Sequence, residues 1–279
     1  MSLTVGIDIG ATTIKAGLVN DGKILFKSEI KTPNTKPVFI SNLREVVKSI
    51  FEYSKSNLNK QPKFIGVASP GPSNYKSQIV NINNANIKNL DLKRILSTFC
   101  KKITVSNDAD AFALYHSMLG LGVNYKVVSG ITLGTGIGGG LIIDRTIYLG
   151  RNNAGEIGHM SYHDSTYEEE FQSIIRDSAK KKLGVDNAFD LYLKAKENNP
   201  NALFLFEKLG ILLGNLIVDV TYAYDPEILI IGGKIANSWK FFKKSATKTA
   251  KMRAKTNLPR IVRNNITSAG ILGAALLNK

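Results

Sequence analysis

The chain has 279 residues, 43% of them hydrophobic, which is enough to bury a substantial core and excludes a disordered or fibrous protein. Its net charge of +15 comes from lysines scattered along the whole chain, so we interpret it as a basic surface that attracts small anions and predict no specific nucleic-acid site. No apolar run is long enough to span a bilayer and no basic leader precedes the first strand, so we expect a cytoplasmic protein without membrane contact.

The first predicted element is a hairpin between Leu3 and Phe26, in which an apolar run enters a turn of Gly and Thr and leaves as a second strand. The same pattern returns at 130–147. With one gap allowed, the two stretches align at Gly6, Gly10, Gly17, Asp21 and Ile24 with Gly130, Gly134, Gly140, Asp144 and Ile147. Glycine has no Cβ, so a polyanion can approach the bare backbone N–H groups of such turns. The duplication predicts a two-lobed phosphotransferase.

Helices and strands alternate after the first hairpin, as in α/β layer proteins. Hydrophobic periodicity predicts a helix over 38–58, a strand over 63–68 followed by a rigid loop over 69–73, a helix over 92–99, a strand over 103–105 and a helix over 109–119. After the second hairpin it predicts helices over 166–182, 186–197 and 202–222, a buried strand from 226 that turns at 232–233, and a small apolar helix over 268–277. Gly210 and Gly214 lie one turn apart and predict close packing of the 202–222 helix against another element.

Asn107 and Asp108 stand where a predicted strand turns sharply into a helix. The free N–H groups and the dipole of a helix N-terminus stabilise a carboxylate as an anion. An ionised Asp at a strand end can take the proton of a hydroxyl to which a phosphoryl group is transferred. A plain helix cap is the alternative, and these two residues alone do not decide between them.

A second polar segment, Asn153-Ala-Gly-Glu-Ile-Gly-His159, places a carboxylate and an imidazole three residues apart between glycines. Donors and acceptors on a constrained loop suit a polyhydroxyl ligand such as a sugar. A solvated or structural histidine is the alternative reading. Cys100 is the single cysteine, which rules out a disulfide or a multi-thiolate metal site within the chain.

Together these motifs resemble the ROK family (repressors, ORFs and kinases) of the actin-like sugar-kinase superfamily. The match runs, in order, through Asp8-Ile-Gly-Ala-Thr-Thr-Ile-Lys, Asn107-Asp-Ala, Leu133-Gly-Thr-Gly-Ile-Gly-Gly-Gly, Ala154-Gly-Glu-Ile-Gly-His and Ile231-Gly-Gly. The resemblance implies an α/β, two-lobed actin-like (ribonuclease-H-like) sugar kinase fold with a cleft between the lobes. It implies an N-terminal lobe over 1–117 completed by the helix in 266–279, and a C-terminal lobe over 118–265.

The resemblance also assigns roles. Asp108 takes the place of the catalytic base. The sugar contacts would be Pro70, Gly71, Asn107, Glu156, His159 and Glu169, the last near the anomeric end of the sugar. ATP and its Mg²⁺ would be bound by residues of the two phosphate loops and of the adenosine turn: Asp8, Gly10, Thr12, Thr13, Lys15, Gly134, Thr135, Gly136, Gly138, Gly232 and Gly233.

One segment departs from the family pattern. Many ROK members follow the Gly-His loop with three closely spaced cysteines that join the histidine on a structural zinc ion. Here that stretch is Met160-Ser-Tyr-His-Asp-Ser-Thr-Tyr, without cysteine. We therefore expect no zinc and predict that hydrogen bonds hold His159, although His163 lies near enough to remain a candidate ligand.

The resulting hypothesis is an ATP-dependent hexose kinase that phosphorylates the 6-hydroxyl of glucose, as a homodimer by the family's usual habit. The alternatives are an N-acetylmannosamine or N-acetylglucosamine kinase, a sugar-responsive transcriptional regulator, and an actin-like filament former or chaperone ATPase. A regulator of this family carries a winged helix before the first phosphate loop, whereas seven residues precede Asp8 here. A filament or chaperone ATPase would not need Glu156, His159 and Glu169 together.

Overall fold

A computed structural model describes residues 3–74, 79–82 and 87–278. Its contacts divide the chain into two compact units. The first unit takes residues up to 124, 145–152 and 266 onward, and the second takes 125–144 and 153–265. The first unit thus includes the C-terminal helix, and the sequence-based boundary at residue 118 stays a prediction. Within the described ranges, no helix combines the length and the apolar character needed to cross a bilayer.

The first unit is built on a sheet with the strand order β3-β2-β1-β4-β8. Its strands and helices are β1 (Thr4–Ile9), β2 (Thr13–Asn20), β3 (Lys23–Lys31), α1 (Lys36–Leu58), β4 (Ile65–Ser69), β5 (Pro72–Asn74), β6 (Ile79–Ile82), β7 (Ile87–Asp91), α2 (Leu92–Leu96), β8 (Ile103–Asn107) and α3 (Asp108–Leu119). Strands β1, β4 and β8 are parallel, and β2 pairs antiparallel with β1. The apolar face of α1, including Phe39, Leu43 and Val47, is buried in the same hydrophobic core as Val5, Ile7 and Ile65 of the sheet.

Helix α9 (Ala269–Ala275) packs against β1, β4 and α3 of the same unit. The approach is close because the contacting positions lack side chains. A Cβ on Gly6 would lie 1.9 Å from the carbonyl oxygen of Ile271, and one on Gly66 would lie 1.7 Å from that of Ala274. A Cβ on Gly273 of α9 would lie 1.8 Å from the carbonyl oxygen of Ala111. The C-terminal helix can therefore cover this sheet only with glycine at these positions.

The second unit has the strand order β10-β9-β14-β15. Its elements are β9 (Val127–Leu133), β10 (Ile137–Ile143), a 3₁₀ turn (Ile157–His159), β12 (Ser161–Tyr162), β13 (Ser165–Thr166), α4 (Tyr167–Gln172), a π-helical segment (Ser173–Ser178), α5 (Ala179–Leu183), α6 (Ala188–Lys196), α7 (Pro200–Tyr224), β14 (Ile228–Gly232), a second 3₁₀ turn (Ile235–Ser238), α8 (Trp239–Arg253) and β15 (Arg260–Arg263). A further strand, β11 (Thr146–Ile147), lies in the segment assigned to the first unit.

The two sheets repeat one topology, as the duplicated glycine pattern predicts. Each has an antiparallel hairpin whose first strand pairs in parallel with a later strand, which in turn pairs in parallel with another. Gly6 pairs with Gly17 in the first hairpin, and Gly130 with Gly140 in the second. Asp21 and Asp144, aligned by sequence, both follow the second strand with positive φ, 49° and 48°.

Helix α7 packs on α8, as the spacing of Gly210 and Gly214 predicts. A Cβ on Gly210 would lie 2.5 Å from the carbonyl oxygen of Phe242, and one on Gly214 would lie 2.6 Å from that of Ala246. Both helices contribute to a core with Ile131, Leu133 and Ile231 of the sheet.

Several predicted bounds are wrong. Helix α2 ends at Leu96, whereas the sequence predicts a helix up to residue 99. The segment predicted as a rigid loop over 69–73 becomes strand β5 from Pro72 onward. The predicted helix over 166–182 is helical throughout but contains the π-helical segment, in which the backbone changes its hydrogen-bond spacing.

Candidate active site

The carboxyl ends of β1, β4 and β8 lie at one edge of the first unit's sheet, because these strands are parallel. Gly10 follows β1, Pro70 and Gly71 follow β4, and Asn107 ends β8. Ligands of open α/β sheets bind at this edge. The fold therefore gathers the predicted residues of the first phosphate turn, the sugar loop and the catalytic Asp at one place in the first unit.

Asn107 and Asp108 form the junction of β8 and α3. Asn107 is the N-cap of α3, and its side-chain oxygen accepts a hydrogen bond of 2.7 Å from the N–H of Ala109. Asp108 is the first helical residue, where the free N–H groups and the dipole of a helix start attract negative charge, and it is half-buried. The amide nitrogen of Asn107 lies 3.5 Å from the position that a Cβ on Gly71 would take. Gly71 itself has a positive φ of 58°. Asn107 is therefore a helix cap, and its amide nitrogen lies beside Gly71.

Asp8 lies over the start of α9. A Cβ on Gly270 would come within 2.7 Å of the Asp8 carboxylate, so glycine at 270 makes room for that group. Across the hairpin, Asp8 pairs with Lys15, which puts opposite charges on neighbouring strands. Sequence reasoning missed Gly270, because only the packing of α9 on β1 brings it to Asp8.

We expect Gly270→Ala to displace the Asp8 carboxylate while leaving the fold in place, because the clash is with the end of one side chain. The family resemblance assigns Asp8 to the binding of ATP and its Mg²⁺. The apparent KM for Mg·ATP should therefore rise by about tenfold, whereas the melting temperature should change little. Gly17→Ala is the control, since its Cβ would meet the Ile271 side chain of the same helix at 2.7 Å without touching Asp8. Equal kinetic effects of the two substitutions would contradict this role for Gly270.

The two glycine turns do not leave all their N–H groups bare, contrary to the expectation from composition. The N–H of Gly10 donates to the carbonyl oxygen of Thr13 at 3.0 Å, and that of Gly134 donates to the carbonyl oxygen of Gly136 at 3.0 Å. The aligned glycines thus each donate within their own turn, to the third residue onward in the first turn and to the second residue onward in the second. Thr32, at the end of β3, donates its hydroxyl to the carbonyl oxygen of Gly10 at 2.8 Å and so supports the first turn.

The second turn has open space at Gly134. A Cβ there would meet no atom within 4 Å, so the chain itself gives no steric reason for glycine at this position. Gly233 lies beside it, since its Cβ would be 2.3 Å from the carbonyl oxygen of Leu133 and its φ is 86°. The predicted adenosine turn and the predicted second phosphate turn are therefore neighbours.

Glu168, which sequence reasoning missed, also lies at this turn, with its carboxylate 2.7 Å from the position that a Cβ on Gly136 would take.

The loop with Glu156 and His159 lies directly on the second hairpin. Cβ atoms on Gly155 and Gly158 would each come 2.4 Å from a carbonyl oxygen of β10, those of Gly139 and Ile137. Backbone meets backbone here, so the loop packs closely on β10, which begins directly after the second glycine turn. The Tyr224 hydroxyl of α7 donates to the carbonyl oxygen of Ala154 and holds the same loop.

Glu156, His159 and Glu169 come together in the second unit. The side chains of Glu156 and His159 are exposed, with 3.9 Å between Oε2 and Nε2, while Ile157 between them is buried. Glu169 is the third residue of α4 and forms a capping box with Thr166: its N–H donates to the Thr166 hydroxyl, and its carboxylate accepts from the Thr166 N–H. Hydrogen bonds from Ser165 and Thr166 hold the pKa of Glu169 below its usual range, and the nearby His159 lowers it further. Glu169 therefore stays ionised.

The sequence profile of the ROK family matches residues 4–279. The chain belongs to the ROK family. It is 27% identical to a glucokinase of Thermotoga maritima, over 84% of this chain and 82% of that one. It is 28% identical to an N-acetylgalactosamine kinase of Shewanella sp., over 98% of this chain and 95% of that one. A crystal structure of a ROK family glucokinase from Streptomyces griseus with glucose and AMPPNP superimposes with a TM-score of 0.82, at 24% identity and 98% coverage of both chains. The chain has the two-lobed actin-like fold of ROK kinases.

The zinc site of many ROK proteins does not fit the donors present here. A closed structural site needs four ligands such as Cys and His. Within the part of the chain that the structure describes, no group of three or more His, Cys, Asp and Glu side chains could hold a metal ion. Cys100 belongs to the first unit, and His163 is exposed with a φ of 53° between β12 and β13. His159 is fixed through its backbone, whose N–H donates to the carbonyl oxygen of Glu156 at 3.1 Å.

We expect metal analysis of the purified protein to find no stoichiometric zinc. Activity should survive treatment with a chelator once Mg²⁺ is restored, because the residues that the structure describes offer no closed tetrahedral donor set for a zinc ion. One zinc per chain, lost together with activity, would contradict the prediction and make His159 and His163 the first candidate ligands.

Proposed function

We propose that this protein transfers the γ-phosphoryl group of ATP to the 6-hydroxyl of a hexose, and that glucose is the acceptor. The reaction class comes from the family, since the chain is a ROK sugar kinase and thus a hexokinase-type phosphotransferase. One observation carries the acceptor site: Asp108 begins α3 directly beside Asn107, whose amide faces Gly71. A carboxylate next to hydroxyl-binding groups is what proton removal from an acceptor hydroxyl requires.

The carboxylate of Asp108 takes the proton of the sugar 6-hydroxyl while the oxygen of that hydroxyl forms a bond to the γ-phosphorus of ATP. The bond from that phosphorus to the bridging oxygen breaks, and ADP leaves with the electron pair. Phosphoryl transfer runs through a loose transition state that depends mainly on positioning and on charge stabilisation. Asp108 is suited to this role because the start of α3 fixes its backbone and a helix start attracts negative charge.

We assign the remaining hydroxyls of the sugar to Asn107, Glu156, His159 and Glu169, and further sugar contacts to Pro70 and Gly71. Two features support the assignment. The side chains of Glu156, His159 and Glu169 are exposed on one unit, and hydrogen bonds keep Glu169 an acceptor. A sugar needs both donors and acceptors, which an amide, an imidazole and carboxylates supply.

We assign the phosphates of ATP to the two glycine turns, at Gly10, Thr12 and Thr13 in one and from Gly134 to Gly138 in the other, and adenosine to Gly232 and Gly233. Asp8 is the residue that we assign to the Mg²⁺ that accompanies ATP and neutralises its phosphates, with Lys15 as a further cation beside it. Mg²⁺ in such sites is bound by one or two carboxylates together with the phosphates, so a single aspartate fits. The open space at Gly134 supports the second turn.

Gly134→Ala tests that turn. The free energy of unfolding should change by less than about 0.5 kcal/mol, because the new methyl meets no protein atom within 4 Å. The KM for ATP should rise by about tenfold, because the methyl occupies the space that we assign to a phosphate. Gly184→Ala is a matched control: its Cβ also meets nothing within 4 Å, but its φ of 69° makes alanine cost stability without changing ATP binding. Unchanged ATP affinity in Gly134→Ala would remove this turn from the nucleotide site.

The acceptor is tested by following ADP release with glucose, mannose, fructose, N-acetylglucosamine, N-acetylmannosamine and N-acetylgalactosamine. We expect the highest kcat/KM with glucose. The relative from Shewanella favours one alternative, an N-acetylhexosamine acceptor, because it matches 98% of this chain. A higher kcat/KM with an N-acetylhexosamine would replace glucose as the acceptor, and ADP release with none of these sugars would contradict the proposed function. The homodimer and the lack of a specific nucleic-acid site remain predictions.

A further inference from the structure

Residues 160–167 form a short hairpin between the two sugar-site residues His159 and Glu169. Strands β12 and β13 pair Ser161 with Thr166, and the N–H of Tyr167 donates to the carbonyl oxygen of Met160 at 3.2 Å to close the base. His159 immediately precedes this 160–167 hairpin, and Glu169 follows it by two residues. The way in which the hairpin packs on the rest of the unit therefore sets the positions of His159 and Glu169.

This hairpin occupies the segment in which many ROK proteins bind a structural zinc ion, and the donors here do not fit zinc. Something else must hold it. Two tyrosines of the hairpin and its base, Tyr162 and Tyr167, contact each other with ring centroids 4.8 Å apart, and Tyr162 also contacts the ring of His163 at 4.4 Å. Each tyrosine hydroxyl reaches helix α7.

The two hydroxyls make different contacts. The Tyr167 hydroxyl donates to Oδ2 of Asp219 at 2.5 Å, and the Tyr162 hydroxyl accepts from Nδ2 of Asn215 at 3.1 Å. Burial and the hydrogen bond to Asp219 raise the pKa of Tyr167, so it remains a donor at all ordinary pH values. Asn215 and Asp219 are one helical turn apart on α7 and hold both sides of the hairpin.

Asn215 uses both ends of its amide. It is 4% exposed, and its Oδ1 accepts a hydrogen bond from the Arg253 guanidinium at the end of α8. Arg253 can reach it because Gly210 and Gly214 let α8 pack close to α7. A buried amide that loses a partner is costly to leave unpaired, so this contact orients Asn215 strongly.

We propose that this set of residues, Tyr162, Tyr167, Asn215, Asp219 and Arg253, replaces the structural zinc ion as the element that seats the 160–167 hairpin and thereby positions His159 and Glu169 for the sugar. Its members are positioning residues, and the proposal rests on the proposed function only for the statement about sugar. The hairpin is tied to α7 by side chains far apart in sequence rather than by one ion.

The test uses Tyr167→Phe, which keeps the ring and removes the hydroxyl, and Asn215→Leu, which removes the amide contacts with Tyr162 and Arg253 together with a hydrogen bond to the carbonyl oxygen of Ile211. We expect each to raise the sugar KM by about tenfold with the ATP KM within about twofold of the wild type. Amide hydrogen exchange over 160–167 should be faster in both. Thr221→Val is the matched control, because it removes a buried hydroxyl bond of 2.6 Å to the carbonyl oxygen of Ile217 on the same helix without touching the hairpin.

The control should lose stability without a change in the sugar KM or in exchange over 160–167. Should Asn215→Leu fail to fold, Tyr167→Phe decides alone. Unchanged exchange over 160–167 in Tyr167→Phe would overturn the proposal, and so would a rise of the sugar KM in Thr221→Val equal to that in Tyr167→Phe. The exchange comparison needs no sugar, so it decides the seating even if the wild type phosphorylates none of the sugars tested and the proposed function fails.

Discussion

Asp108→Asn is expected to lower turnover by about two to four orders of magnitude, the usual contribution of a positioned base, while ATP and sugar binding stay nearly intact. Asparagine keeps the shape of the side chain at the first position of α3 and is well tolerated near a helix start. Its amide cannot take the proton of the acceptor hydroxyl. Steady-state kinetics and direct binding measurements on the same preparation separate the two effects.

Asp91→Asn is the matched control for this substitution. Asp91 is also an aspartate at a helix start in the first unit, where it caps α2 by accepting a hydrogen bond of 2.8 Å from the N–H of Arg94. Asparagine preserves that cap, so turnover should stay near the wild-type value. If Asp108→Asn retains a third or more of the wild-type turnover, Asp108 is not the base.

Glu156→Gln and His159→Ala should each raise the sugar KM by about five- to a hundredfold. A site built to pair with hydroxyls loses on the order of 1–3 kcal/mol when one partner is removed. Some loss of turnover should follow where the acceptor hydroxyl moves away from Asp108. ATP affinity measured without sugar should stay within about twofold, because both side chains are exposed and the contact of their loop with β10 is made by backbone.

Gly158→Ala provides the contrast. Its Cβ would lie 2.4 Å from the carbonyl oxygen of Ile137, next to the second phosphate turn, so this substitution should weaken sugar and ATP binding together. Loss of ATP binding in Glu156→Gln and His159→Ala, with sugar affinity unchanged, would instead show that the loop does not bind the acceptor and would favour a filament or chaperone ATPase.

Local patterns were sufficient to predict the repeated hairpins, α1 and the close packing of α7. Each depends on neighbouring residues: glycine spacing with β-branched runs in the hairpins, helical periodicity in α1, and Gly210 with Gly214 in α7. The capping box at Thr166 and Glu169 could also have been found, since Thr-x-x-Glu before an apolar position is its signature.

The rest depends on contacts between distant segments. Nothing near Asp8 in sequence points to Gly270, and nothing near Tyr162 or Tyr167 points to Asn215, Asp219 or Arg253. The contact of the Glu156 loop with β10 is of the same kind, because nothing in either segment alone points to the other. Turn composition likewise could not show that Gly10 and Gly134 use their own N–H groups, because this depends on the path of the backbone.

Helix α9 also bears on the order in which the protein is completed during translation. The face of β1 and β4 that α9 covers is made before the second unit, whereas α9 is made after it. The second unit needs only residues up to 265 and can finish folding earlier. Until α9 has been made, the glycine-lined face of the first sheet stays uncovered, the kind of surface on a nascent chain that chaperones bind. The unit whose sheet is made first is therefore completed after the other unit, and a ribosome that stops before residue 266 releases a chain in which Asp8 lacks the helix beneath it.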